Sequence, residues 1–304
     1  MQPISDKTTE QQNLASKDID QMSTREVLVT MNKEDKTVPY AVEKAIPQIE
    51  KFVDKVVDSM KNGGHLFYVG AGTSGRLGVL DASEIPPTFS APTTLVQGIM
   101  CGGLPALVTA VEGAEDDYDA GYRVVDERGI TEKDCLLGIT TSGTAAYVHA
   151  ALKRAREIGA TTGLLVCNTF EQDENIDIMI QAVVGPEIVT GSTRMKAGTA
   201  TKLILNMITT TAMIKLNKTY GNLMVDLMTT NKKLWDRGAR IIRHCTGTEY
   251  DKAMEILKRS KGSVKTALVV ALLDIDPDAA RKRLEAHDGA LREVLEEEGK
   301  SLHL

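Results

Sequence analysis

His65–Phe89 reads HLFYVGAGTSGRLGVLDASEIPPTF, which predicts a buried strand, a loop of glycines and hydroxyls, and a helix ending against two prolines. Leu66, Phe67, Tyr68 and Val69 run unbroken between Gly63-Gly64 and Gly70, the pattern of a strand covered on both faces. Gly70, Gly72 and Gly75 free the backbone to turn tightly and to approach a ligand with no Cβ in the way. Thr73 and Ser74 bring hydroxyl donors to the mouth of the following helix, where unpaired N–H groups and the positive dipole end favour an anion. The stretch has the makings of a phosphate cradle.

Gly70-x-Gly72-x-x-Gly75 also satisfies the dinucleotide fingerprint, so the spacing alone is weak. A nucleoside triphosphate loop needs Gly-Lys-Ser/Thr, whereas Gly75 is followed by Arg76-Leu77. A dinucleotide site wants an acid about twenty positions past the glycines, and Glu84 comes too early. The deciding observation is a second copy. Cys135–Tyr147, CLLGITTSGTAAY, repeats an apolar strand, a Thr141-Ser142-Gly143 turn and an Ala-rich helical run. Ser and Thr ahead of a helix are also ordinary N-caps, but two such strand ends point to one small phosphorylated ligand held from two sides.

The 304 residues allow about two domains. No apolar run approaches the roughly eighteen residues of a membrane span, and the N-terminus lacks a basic n-region and an apolar h-region, so a cytoplasmic protein without membrane association is expected. Cys101, Cys135, Cys167 and Cys245 have no Cys-x-x-Cys pairing and read as buried thiols. His65, His149, His244, His287 and His303 have no metal-like spacing, so no metal site is expected. A net charge of −6 disfavours nucleic acid as a partner. It leaves room for a small phosphate ester held by amides, hydroxyls and local cations such as Arg76, Arg194 or Lys196.

Residues 1–22 are polar and expected to be extended. Ser23-Thr24-Arg25-Glu26 is a capping box opening a short helix. Ala41, Ala45, Ile49, Phe52, Val56 and Met60 fall at steps of three and four and predict one long helix over 38–60, with Pro47 as a bend. Strands follow over 94–100, 136–139, 163–167 and 178–184. A helix is expected over 104–115, with Leu107, Val108 and Val111 inward and Glu112, Glu115, Asp116 and Asp117 crowded at its C-terminus, where the dipole opposes acids. Gly191-Ser192-Thr193-Arg194-Met195-Lys196 opens a further helix to about 216, with Glu187 just ahead. Helices over 250–257, 264–273 and 277–284 form a small appendage. The fold class is α/β, a doubly wound parallel sheet whose ligands sit beyond the strands' C-terminal ends, with a sheet domain over 1–245 and a helical domain over 246–304. Candidate substrate contacts are Gly72, Thr73, Ser74 and Arg76, then Thr141, Ser142, Gly143 and Thr144, then Glu187, Ser192, Thr193 and Lys196.

GAGTSGRLGVLDASEIPPTF at 70–89, AVEGAEDD at 110–117, VVGPEIVTGSTRMKAGTATKLILNM at 183–207 and YGNLMVDL at 220–227 resemble the N-acetylmuramic acid 6-phosphate etherases, sugar isomerase (SIS) domain proteins. The resemblance covers nearly the whole chain, including TTEQQNLASKDID near the N-terminus and a helical tail that in the family is similar to a ubiquitin-associated fold. Thr144-Ala145-Ala146 stands where the family reads Arg-Thr-Pro, inside the second cradle, and Asn13-Leu14 where it reads Asn-Pro. The resemblance implies cleavage of the D-lactyl ether on sugar carbon 3 by elimination and hydration. It places the two proton-transfer groups at Glu84, as acid beside apolar Ile85-Pro86-Pro87 and Phe89, and at Glu115, as base. Two carboxyls with separated pKa values suffice, with no metal or redox cofactor. It also implies a homodimer with sites completed between chains. Two rival functions share the fold: a non-catalytic sugar-phosphate regulator, as in the similar glucokinase regulatory protein, and an aldose–ketose isomerase. A dehydrogenase is the weakest rival.

Overall fold

The computed structural model describes residues 7–302 except 172 and 228. Strands β1 (Leu66–Gly70), β2 (Val96–Met100), β3 (Cys135–Ile139), β4 (Thr161–Val166) and β5 (Ile178–Gln181) form a single sheet in the order β2-β1-β3-β4-β5. Every neighbouring pair is parallel. The helices of the same region are α1 (Thr24–Asp35), α2 (Val38–Lys61), α3 (Gly72–Phe89), α4 (Tyr118–Glu127), α5 (Ala146–Glu157) and α6 (Lys196–Lys215). The chain packs as two units, one of residues up to Ser83 with Thr94–Thr209, the other of Glu84–Thr93 with Thr210 onward. Helices α3 and α6 each begin in the residues of the first and end in those of the second.

Both faces of the sheet are covered, as the apolar strand runs require. Leu137 pairs with Gly163 and Gly138 with Leu164, and successive strand residues face opposite ways. A Cβ on Gly163 would stand 2.6 Å from the Phe52 ring of α2, and one on Gly138 2.6 Å from Val148 of α5. Helices α2 and α5 therefore lie on opposite faces, and the glycines are what let them approach. Helix α2 buries Val42, Ala45, Ile49, Phe52, Val56 and Met60 along one stripe. Pro47 sits on its exposed side, where its missing N–H costs the helix one backbone bond but displaces no core packing.

Inside the first unit, Asp81 of α3 is a buried carboxylate with three donors: the Tyr68 hydroxyl at 3.0 Å, Asn206 Nδ2 at 2.7 Å and Thr209 Oγ1 at 3.3 Å. Burial pushes its pKa up, against the pull of those three bonds. Asp81 ties α3 to β1 and α6 through hydrogen bonds that apolar packing alone would not orient.

In the second unit, α7 (Lys232–Thr246), α8 (Tyr250–Arg259), α9 (Val264–Leu273), α10 (Pro277–Ala286) and α11 (Leu291–Glu297) surround one core containing Ile242, Leu257, Leu268 and Leu295. Lys265 is buried there, its Nζ donating to Asp226 Oδ2 at 2.9 Å and to the carbonyls of Asn217 and Gly289.

Four expectations are corrected. The 104–115 helix does not form; its place is taken by short turns at Leu104–Leu107 and Ala114–Asp116. Gly103 and Gly113 adopt positive φ and Val108 is 90% exposed, so the apolar spacing there reflects no helix face. Pro86 and Pro87 lie inside α3 rather than ending it. Residues 8–21 fold into three short 3-10 turns instead of an extended arm. Helices α4, α7 and α11 were not anticipated. With α4 in place, the acidic cluster lies at a helix N-terminus: Asp117 caps it by accepting from the Ala120 N–H, so the dipole favours the acids it was expected to oppose. The Ser23–Glu26 capping box is formed as expected. All four cysteines are buried, and burial pushes their thiols up to about 11 or about 12.

Candidate active site

Strand order fixes where a ligand can sit. From β1 the chain moves to β2 on one side, and from β3 it moves to β4 and β5 on the other, so the connections diverge between β1 and β3. A crevice opens at such a switch point beyond the strands' carboxyl ends. Gly70 and Ile139, the last residues of these strands, lie side by side, and the two Thr-Ser-Gly loops leave from them.

A cavity of about 160 Å³ occupies this crevice. Ala71, Gly72, Thr73 and Ser74 line it from the first loop, Ile139, Thr140, Thr141, Ser142 and Ala145 from the second, Gly191 and Thr193 from the approach to α6, and Glu10 and Glu115 complete it. Helix α3 begins within the first loop: its opening bond runs from the Gly75 N–H to the Ala71 carbonyl at 3.2 Å, which leaves the preceding amides outside the helical ladder. Gly75 is required because a Cβ there would stand 2.2 Å from the Gly70 carbonyl oxygen. Helices α3 and α5 start at the cavity wall, so two positive dipole ends and the six hydroxyls of Thr73, Ser74, Thr140, Thr141, Ser142 and Thr193 face one space. That arrangement suits a phosphate group.

The second loop is held by its own hydroxyls and by a histidine. Thr144 Oγ1 and Ser142 Oγ are 2.7 Å apart, and the Gly143 carbonyl is 2.8 Å from His149 Nε2. Phe170 stacks on His149 and fills the space beside Gly143. His65 pairs with Asp134 at 3.0 Å and His287 with Glu297 at 3.1 Å, so both are satisfied. His244 is exposed, and His303 lies outside the described residues. Among the described residues no cluster of His, Cys, Asp and Glu is arranged for a metal ion.

The remaining sequence candidates are held elsewhere. Arg76 donates from Nε to the Leu107 carbonyl at 3.0 Å and from Nη2 to the Ala106 carbonyl at 2.7 Å, pinning the 104–107 turn. Lys196 is buried with its Nζ 2.8 Å from Glu34 Oε2. Glu187 is fully buried and caps α6, accepting from the N–H groups of Lys196 and Ala197, each at 2.9 Å. Burial raises its pKa while those two N–H groups pull it down. Gly143, Thr144, Ser192 and these three are not among the lining residues. Arg194 is exposed.

The two candidate glutamates sit differently. Glu115 lines the cavity. Although part of the residue is exposed, crowding around the carboxyl pushes its pKa up, and the Asp116 charge adds to this. Glu84 belongs to the second unit, is exposed, and is not among the lining residues. Ile85 and Phe89 are buried on another side of α3, so the apolar surround expected for Glu84 does not form within the chain. Glu10 and Thr140 were missed as site residues. Thr140 follows directly from the strand end; for Glu10 the one signal was its place in TTEQQ, since no local pattern ties that segment to the sheet.

A family model described as the glucokinase regulatory protein N-terminal SIS domain matches residues 48–156. The chain is 49% identical over 288 residues to an N-acetylmuramic acid 6-phosphate etherase of Caldanaerobacter subterraneus subsp. tengcongensis, covering 94% of each. It is 50% identical over 294 residues to one of Clostridium acetobutylicum, covering 96% of this chain and 97% of the relative. Among solved structures, a phosphoheptose isomerase from Neisseria gonorrhoeae is similar at a TM-score of 0.46 and 16% identity, over 62% of this chain and 98% of that one.

Proposed function

The chain belongs to the N-acetylmuramic acid 6-phosphate etherase family, and from that premise we propose that it cleaves the lactyl ether of N-acetylmuramic acid 6-phosphate to N-acetylglucosamine 6-phosphate and D-lactate. It is a carbon–oxygen lyase acting on a phosphorylated amino sugar. The observation that carries the reading is the cavity at the switch point, which combines two hydroxyl loops suited to a phosphate with a carboxyl, Glu115, of raised pKa.

In the open-chain sugar the aldehyde at C1 acidifies the C2 proton. Glu115 takes that proton, the C2–H electrons form the C2=C3 bond, and the C3–O bond breaks with its electrons on the lactate oxygen, which Glu84 of a second copy protonates in the dimer proposed below. Water then adds its oxygen to C3 and a proton to C2. A base with a pKa shifted toward the working pH is the more effective one, which supports Glu115 in that role. The hydroxyls of Thr73, Ser74, Thr141, Ser142 and Thr193 hold the phosphate, while Arg76, Glu187 and Lys196 keep the surrounding loops and helix in register.

The proposal includes a homodimer that completes its sites between chains. Helix α1 buries none of its residues, leaving Leu28 and Val29 61% and 59% exposed, and Glu84 is open to be covered by a second copy. It also includes a cytoplasmic location, because a charged sugar phosphate does not cross a membrane unaided; among the described residues no helix is long and apolar enough to span one. Residues 246–304 form a helical domain similar to a ubiquitin-associated fold in this reading.

D-lactate release from N-acetylmuramic acid 6-phosphate in ¹⁸O water tests the reaction. Unlabelled lactate with a labelled C3 hydroxyl on the sugar is expected. The match to the regulatory protein's SIS domain favours a second reading, a non-catalytic sensor. Protection from thermal unfolding by the sugar phosphate without lactate release would put that reading first.

A further inference from the structure

The turn at residues 8–10 is tied down on two sides. Thr9 is fully buried; its N–H donates to Asn168 Oδ1 at 3.3 Å and its Oγ1 accepts from Asn168 Nδ2 at 3.0 Å. The Thr8 hydroxyl donates to the same Asn168 Oδ1 at 2.8 Å. On the other side the Thr9 carbonyl accepts from the Gly191 N–H at 3.1 Å. These bonds join the N-terminal segment to the residues after β4 and to the approach to α6, and they deliver the next side chain, Glu10, into the cavity.

Glu10 lies against Gly191, where a Cβ would stand 2.9 Å from Glu10 Oε2 and where φ is +75°. Among the described residues no donor or cation engages the Glu10 carboxylate. Its removal therefore breaks no internal hydrogen bond, since Thr8, Thr9 and Asn168 hold the turn. A carboxylate repels a phosphate placed beside it, so Glu10 does not hold the anionic end of a ligand. It is suited to accept a hydrogen bond from a neutral O–H or N–H.

We propose that Glu10 is a specificity-determining residue, whose carboxylate accepts a hydrogen bond from a ring hydroxyl or the acetamido N–H of the bound sugar while the two hydroxyl loops hold its phosphate. The identity of the sugar rests on the etherase reading; the division of the cavity between a donor-reading carboxylate and a phosphate cradle does not.

The test compares two probes, N-acetylglucosamine 6-phosphate and inorganic phosphate, on the full chain and on Glu10→Ala and Glu10→Gln, by calorimetric titration. Glu10→Ala is expected to weaken the sugar phosphate by about tenfold or more, the size of a lost hydrogen bond to a charged group. Inorganic phosphate should bind the variant as well as the parent or more tightly. Glu10→Gln keeps an acceptor oxygen and should recover part of the loss. For lactate release the loss should appear in KM, with kcat changed by no more than about threefold. Equal weakening of both probes would mean that Glu10 merely props the cradle, and unchanged sugar-phosphate affinity would mean that it reads nothing; either overturns the proposal. A parent protein that binds the sugar phosphate yet releases no lactate sinks the etherase reading and leaves the Glu10 comparison intact.

Discussion

Glu115 is where chemistry and stability pull in opposite directions. Its carboxyl is pushed above the ordinary carboxylate range by crowding and by Asp116. As a base it works only when ionised, so kcat/KM should fall as pH drops through this raised value, above the usual pKa of about 4.3. Between the unfolded and folded pKa values the native state binds more protons than the unfolded one, so stability is full below the ordinary value and falls as pH rises to the raised one. Glu115→Gln should accordingly lose about 10²–10⁴-fold in kcat while unfolding at the same or a slightly higher temperature than the parent at neutral pH. A pH series of initial rates and thermal melts checks both, and unchanged turnover would remove Glu115 from the mechanism. Glu84→Gln should lose activity in the same range while still binding the sugar phosphate, which titration of the variant reads directly.

Helix α6 depends on one side chain at its start. Glu187, fully buried, supplies the acceptor for two of its first amides. Glu187→Ala should cost about 1–3 kcal/mol, a fall in unfolding temperature of roughly 2–10 °C for a chain of this size. Because Gly191 and Thr193 lead into α6 and line the cavity, KM should rise in the same variant. Glu187→Gln, with one acceptor oxygen, should lie between the two in a melting experiment. At this scale the sequence was a good guide wherever a pattern was local. The apolar runs of β1 and β3, the α2 stripe and the Ser23 capping box were all legible. The 104–115 stretch misled because Leu104, Leu107, Val108 and Val111 have helical spacing, while Gly102, Gly103, Pro105 and Gly113 make the backbone turn instead.

For the whole molecule, light scattering during gel filtration at micromolar concentration is expected to give the mass of two chains, and a monomer mass would contradict the homodimer. Substituting Leu28 and Val29 of α1 by Lys should shift that mass toward one chain if this face is the one covered. The relation between chain and site also marks how far sequence alone reached. The two strand–loop–helix units, and hence the α/β class and the phosphate-cradle chemistry of Thr73, Ser74, Thr141 and Ser142, follow from residues that are neighbours in the chain, because strand period, glycine conformation and helix dipoles are local physics. What each charged group does was decided by partners far along the chain. Arg76 serves the Ala106 and Leu107 carbonyls, Lys196 is neutralised by Glu34, and Glu187 is a cap. Glu10 enters the cavity only because Thr9 meets Asn168, 159 positions away in sequence. Such pairings depend on which surfaces the parallel sheet brings together, and only the folded chain determines that.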